Sequence, residues 1–177
     1  IPRTIDEFGM KIALIDTNVF LDMLSVDSLP QIFELNLKIT TVDFVLSEIN
    51  QKDQADQLNY FVKSKKIEVY RFSPDDIADI INMKTKRNLR RITDKSVLWK
   101  ALNIQCLLLT GDKNLRKEAE ENGLEVRGSL WVISQLQKAN ILSNNSAILL
   151  LEKLKLQNQS LPKNEIDRLI FMYHDNS

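Results

Sequence analysis

The sequence predicts an α/β fold of three layers, with a central, mostly parallel sheet of four to five strands and a helical C-terminal extension. Two observations carry that expectation. As far as Gly128, short apolar or β-branched runs alternate with segments of helical spacing, the pattern of parallel strands joined by crossover helices. Beyond Gly128 only helical spacing is found. A chain of 177 residues, 44% hydrophobic and 27% charged, is long enough to bury one real core.

The elements follow in order. "KIALID" (11–16) is an apolar run ending in a polar turn and reads as a buried strand; "NVFLDML" places Val19, Phe20, Met23 and Leu24 at helical spacing. "KITTV" (38–42) is β-branched and runs into "DFVLSEI", where Val45 and Ile49 lie one helical turn apart. "IEVYRF" (67–72) is a third strand, and Ser73, Pro74 and Asp76 form a helix start whose helix is expected to reach about Arg87. "TDKSVLWKAL" (93–102) is helical, "QCLLLT" (105–110) is the most apolar strand candidate, and "LEVRG" (124–128) follows another helix. Three helices over 129–139, 144–157 and 162–173, the last with Pro162 in its first turn, complete the chain. They are expected either to close over the sheet edge or to form an oligomer contact. With no internal repeat or flexible linker, residues 10–177 read as one domain with 129–177 as its tail, and residues 1–9 as an N-terminal extension.

Composition excludes several functions. The 24 basic and 24 acidic residues cancel, so attraction to a polyanion must come from local clustering. One cysteine, Cys106, rules out an intramolecular disulfide and suits the cytoplasm. No apolar run approaches the roughly 18 residues needed to span a bilayer, so no membrane partner is expected. Four glycines, at 9, 111, 123 and 128, cannot build a glycine-rich nucleotide loop. A phosphate-accepting receiver domain is disfavoured too, because "IEVYRF" ends in Ser73 and Pro74 without an acceptor aspartate.

Four carboxylates occupy informative positions. Asp16 and Asp112 each stand just beyond a strand, where open parallel sheets place ligands. Asp112 can also simply cap the helix that follows it. Asp94 begins a stripe continued by Val97, Leu98, Ala101 and Leu102; its alternative role is to favour the helix dipole, with Thr93 as cap. Glu48 lies beside Val45 and Ile49 late in its helix, and its alternative is a solvated surface position. Four such acids on one side of a sheet repel each other unless cations neutralise them. Oxygen ligands suit Mg²⁺ or Mn²⁺, and with His174 the sole histidine, zinc and histidine-based catalysis are disfavoured.

In their order and spacing, "IDTNVFLDML", "VLSEI", "ITDKSVLWKAL" and "LLTGDKNLRKEAEENGL" resemble the PIN domain, a family of metal-dependent nucleases. The similarity covers residues 11 to about 128, and "GSLWVISQLQKANI" with "LPKNEIDRLI" is similar to the helical tail of a subgroup described as predicted nucleic-acid-binding PIN proteins. The resemblance places the family's four acids on Asp16, Glu48, Asp94 and Asp112 as catalytic and metal-binding residues, with Asn18 and Thr110 orienting them. Around the third acid, "RRITDK" is more basic and less rich in small residues than the family pattern. The implied activity is hydrolysis of RNA phosphodiesters by an endoribonuclease holding one or two Mg²⁺ or Mn²⁺ ions. The resemblance also admits the toxin of a toxin-antitoxin pair, with an antitoxin protein as partner, and a homodimer; the alternative is a catalytically silent nucleic-acid-binding or scaffold protein.

Between 84 and 100 the chain carries Lys84, Lys86, Arg87, Arg90, Arg91, Lys95 and Lys100 against only Asp94. With Lys113 and Arg116 these form a candidate RNA track, the alternative being a solvated helix end. Trp99 and Trp131 are expected to pack against helices rather than stack on bases.

Overall fold

The computed structural model describes residues 5–175. In chain order these form β1 (Lys11–Ile15), α1 (Thr17–Ser25), α2 (Leu29–Ile32), β2 (Leu37–Val42), α3 (Asp43–Glu48) and α4 (Lys52–Lys63). There follow β3 (Glu68–Tyr70), α5 (Pro74–Asn82), α6 (Ile92–Ile104), β4 (Leu107–Leu109), α7 (Lys113–Glu121) and β5 (Val126–Arg127). The tail is α8 (Ser129–Lys138), α9 (Asn144–Gln157) and α10 (Lys163–Asp175).

The five strands run in the order β3-β2-β1-β4-β5, with every pair parallel. β1 is central, and Ala13 sits between Ile39 and Leu107. Ala13, Leu14 and Ile15 have no exposed surface, which is why this strand reads as an uninterrupted apolar run instead of an alternating one. From β1 the chain moves outward to β2 and β3, then crosses back to β4 and β5. With right-handed crossovers the two sets of connecting helices must lie on opposite faces. The packing agrees: α5, α6 and α7 touch in sequence, while α1 packs with α2, α8 and α9. Phe33, just after α2, meets Phe61 of α4 at 4.7 Å between ring centroids, which joins α4 to the α1 face. The reversal of direction falls between β1 and β4, where an open sheet leaves a crevice beyond its strand ends.

Several sequence expectations are corrected here. α5 ends at Asn82 instead of about Arg87. Met83 turns extended, and the Lys86 and Arg87 N–H groups donate to the buried Glu118 of α7 at 3.0 and 2.9 Å, so tertiary bonds replace further helix. α4 lies in a stretch with no expected element. It has no side-chain cap, and only Leu58 is completely buried, but Ala55, Leu58, Phe61 and Val62 form a helical stripe packed on the core, a signal the sequence expectation passed over. α6 starts one residue early, at Ile92, with Arg91 at the cap position in place of Thr93. Pro162 precedes α10 and supplies its first acceptor, the carbonyl that takes the Ile166 N–H. Of the expected extension over residues 1–9, residues 1–4 lie outside the described residues. Residues 6–10 turn about Asp6, and Ile5 bridges back to Lys11.

The tail closes over α1. Its fastening is Asp22, which shares a helical face with Val19, Met23 and Val26 and is 7% exposed. One oxygen accepts from Ser129 Oγ at the start of α8 (2.5 Å), the other from Asn158 Nδ2 just past α9 (2.8 Å). Burial raises the Asp22 pKa, and these two bonds oppose the rise. No described helix is long and apolar enough to cross a membrane. Asp22→Ala strands the buried Ser129 hydroxyl and the part-buried Asn158 amide and should cost about 1 to 3 kcal/mol, read as a lower midpoint in urea unfolding; an unchanged midpoint contradicts this account of the tail.

Candidate metal centre

Asp16 stands where β1 ends. Its N–H donates to the Leu109 carbonyl at 2.9 Å, holding the ends of β1 and β4 level. The side chain has no exposed surface. Oδ1 accepts from the Thr17 N–H (2.8 Å) and so caps α1; Oδ2 accepts from Thr110 Oγ1 (2.7 Å) and Asn18 Nδ2 (3.3 Å). Burial raises its pKa to about 6, the Thr110 and Thr17 bonds oppose that rise, and the nearby charge of Asp94 adds to it. Asn18 also accepts the Gly111 N–H through its Oδ1 at 2.8 Å. One amide therefore ties the first acid to the loop carrying the fourth.

Asp112 serves as a cap and keeps a second oxygen in hand. Oδ1 accepts from the Asn114 and Leu115 N–H groups at 2.9 and 2.8 Å, starting α7. Its own N–H donates to Thr110 Oγ1 (3.1 Å), whose proton goes to Asp16. Among the described residues Oδ2 has no hydrogen bond.

Asp94 and Glu48 share a cation. Asp94, in the first turn of α6, is 6% exposed. Arg91 grips it through Nη2–Oδ1 at 2.8 Å and Nε–Oδ2 at 3.3 Å, and reaches Glu48 at 3.4 and 3.5 Å through Nη1. Glu48 is fixed from the other side by Thr17 Oγ1 at 2.8 Å, so it is not simply solvated. Burial raises the Asp94 pKa, Arg91 opposes this, and the charges of Asp112 and Glu48 add to the rise. The four acids, drawn from four separate elements, thus form one electrostatic group around the β1–β4 crevice.

The donor chemistry suits a hard divalent ion: oxygens alone, with a buried Asp16 whose proton affinity shows incomplete charge compensation. As the side chains stand, no three of His, Cys, Asp or Glu among the described residues converge to hold a metal. The guanidinium of Arg91 engages two of the acids instead, and its side chain is 51% exposed, with room to turn away. Sequence reasoning placed Arg91 with the nucleic-acid candidates and missed this role. The three-residue spacing to Asp94 was a signal; nothing local signalled Glu48 or Thr17.

The other basic candidates have separate surroundings. Arg87 pairs with Glu121 at 2.6 Å, Lys86 reaches the same acid at 3.7 Å, and Lys95 Nζ donates to the Ile81 carbonyl at 3.2 Å. Arg116 donates to the Thr110 and Val126 carbonyls at 3.0 and 3.3 Å; a Cβ on Gly128 would lie 3.1 Å from this guanidinium. Arg90 and Lys113 are exposed. Trp99 meets Phe72 edge-on at 5.8 Å, as expected of a packing role.

The raised pKa of Asp16 sets a direction for stability. Folded Asp16 holds its proton up to about pH 6, whereas the unfolded group releases it near 3.8, so stability falls as pH rises through that window. The full cost, about 3 kcal/mol by the size of the shift, persists above it. In metal-free buffer Asp16→Asn should unfold about 1 to 3 kcal/mol later than the parent at pH 8 and lose that advantage by pH 4. A gain independent of pH contradicts the assignment.

A comparison with curated proteins finds no match. Among solved structures, a PilT N-terminus domain protein from the hyperthermophilic archaeon Sulfolobus solfataricus P2 overlaps 71% of this chain and 94% of its own, with 16% identity and a TM-score of 0.45. A family model described as PIN domain matches residues 12–172, which includes all four acids, the tail helices α8 and α9 and most of α10. The chain belongs to the PIN domain family, whose members are typically metal-dependent nucleases.

Proposed function

We propose that this protein is a divalent-metal-dependent endoribonuclease acting at the β1–β4 crevice. The observation that carries the reading is the buried Asp16, joined through Thr110 to the Asp112 loop and charge-coupled to Asp94. Asp16, Glu48, Asp94 and Asp112 would hold Mg²⁺ or Mn²⁺. Such an ion, when bound, lowers the pKa of a bound water and offsets charge on the phosphoryl oxygens. Thr110 and Asn18 keep the Asp16 carboxylate in one orientation, and Thr17 does the same for Glu48. Arg91 balances Asp94 and Glu48 until a cation replaces it, and its exposed fork then suits a phosphate of the strand. The buried thiol of Cys106, with its pKa pushed up to about 12 by burial, fits a reducing cytoplasm.

One observation favours a second reading, a nucleic-acid-binding member without turnover: Arg91 already neutralises two of the acids. Calorimetric titration with Mn²⁺ and a cleavage assay on single-stranded and structured RNA decide between them. The nuclease should bind Mn²⁺ and cleave, and Asp16→Asn or Asp112→Asn should reduce cleavage at least about a hundredfold. A parent that neither binds nor cleaves belongs to the second reading. Arg91→Ala removes the competing cation and should tighten Mn²⁺ binding by about fivefold, the worth of a partly exposed ion pair; weaker Mn²⁺ binding in that variant contradicts the exchange.

A further inference from the structure

The densest basic run in the sequence is largely spent on other partners. Lys86, Arg87, Arg91 and Lys95 have the acceptors already described, and Lys100 Nζ lies 4.0 Å over the Tyr70 ring. A different surface has cations to offer. A cleft of about 870 Å³ lies between α7, α8 and the tail helices, within the roughly 300 to 1,000 Å³ of ordinary ligand sites.

Lys113, Arg116, Arg127, Lys138 and Arg168 line this cleft, and its acids are Asp22 and Glu165. Arg116 is held by backbone carbonyls and Arg127 pairs with Glu125 at 3.5 Å, so Lys113 and Lys138 are, among the described residues, exposed cations without such a bond. Both Asp22 oxygens are taken by Ser129 and Asn158. Trp131 packs one side against the core, as expected, and its partly exposed remainder lines the cleft; Trp99 does not reach it. The cleft also begins at the candidate centre, because Asn18 and Gly111 belong to its wall and Asn18 bonds Asp16 directly. The four acids are not in its wall, but their neighbours Asn18 and Gly111 are, and from there the groove has cations along its sides and an indole within. That is how single strands are held: phosphates by basic side chains, bases by an aromatic face. An A-form duplex, read on its outer shape across a broad groove, does not enter such a cleft.

We propose that the cleft between α7, α8 and the tail binds single-stranded RNA running from the acid cluster, with Lys113 and Lys138 on phosphates and Trp131 stacked on a base. The assignment rests on RNA as the substrate of that cluster, and its test reads binding without turnover. Fluorescence anisotropy of a labelled oligouridylate of about twelve nucleotides, in EDTA, is measured on the full chain. The paired substitution Lys113→Glu with Lys138→Glu should weaken binding about tenfold or more and flatten the salt dependence. Lys84→Glu with Arg90→Glu, on the rival basic run, should change it less than about twofold. Binding should quench tryptophan emission, and Trp131→Phe should abolish the quench. Greater loss from the Lys84 and Arg90 pair overturns the proposal, as does a quench that survives Trp131→Phe. Equal affinity for oligoglutamate of the same charge overturns it too, in favour of an acidic protein segment. Circular dichroism checks that each variant folds. If Mn²⁺ binding and cleavage are absent while the cleft variants still lose RNA, the enzyme reading falls and this one stands. Cleavage that ignores the cleft variants has the opposite meaning.

Discussion

A carboxylate with no exposed surface sits where the neighbouring inner strands β1 and β4 end, and much of the molecule is arranged to tolerate it. Asp16 starts α1, accepts from Thr110 across the strand boundary, and is held by an amide that also holds Gly111. Those bonds recover only part of the hydration that burial removes, so the group remains short of positive charge. The sheet order adds to the difficulty. Placing β1 beside β4 brings the Asp112 loop to the same crevice, and the helices on the opposite face bring Asp94. The parallel sheet is comfortable with its apolar core and uncomfortable at one end, and that end carries the candidate metal centre.

Much of this could be read from the sequence because burial on both faces writes itself as apolar runs. β1 and β4 are legible for that reason, and Asp16 and Asp112 are legible as the polar residues that interrupt them. α4 is less so, since its stripe of Ala55, Leu58, Phe61 and Val62 is set among polar residues, lacks a side-chain cap and is fully buried only at Leu58. The end of α5 is not, because it depends on a carboxylate more than thirty residues away. The positions of the four acids follow from local pattern and chain order. Arg91 lying across Asp94 and Glu48 does not, since Glu48 arrives from another strand connection. Local rules describe a strand end or a cap well; they carry little about which distant side chain answers it.

The tail extends the same logic to a second acid. Asp22 is polar on an otherwise apolar face of α1, and Ser129 and Asn158 make that position tolerable. The helices that cover α1 also supply the walls of the cleft leading from the acid cluster. Covering a core and shaping a groove are here one act of packing, which explains why a domain with a neutral formal charge can still present a locally basic channel.

Glu118 has a consequence for motion. By accepting the Lys86 and Arg87 N–H groups from a side chain only 3% exposed, it pins the backbone segment that leads to Arg91 onto α7, the helix that Asp112 begins. Shifting that segment along α7 breaks two part-buried bonds, which favours side-chain rotation as the freedom left to Arg91. The exchange proposed for Arg91 would then need a change of side-chain rotamer, the picosecond-to-nanosecond motion of exposed side chains, and not the slower rearrangement of a loop.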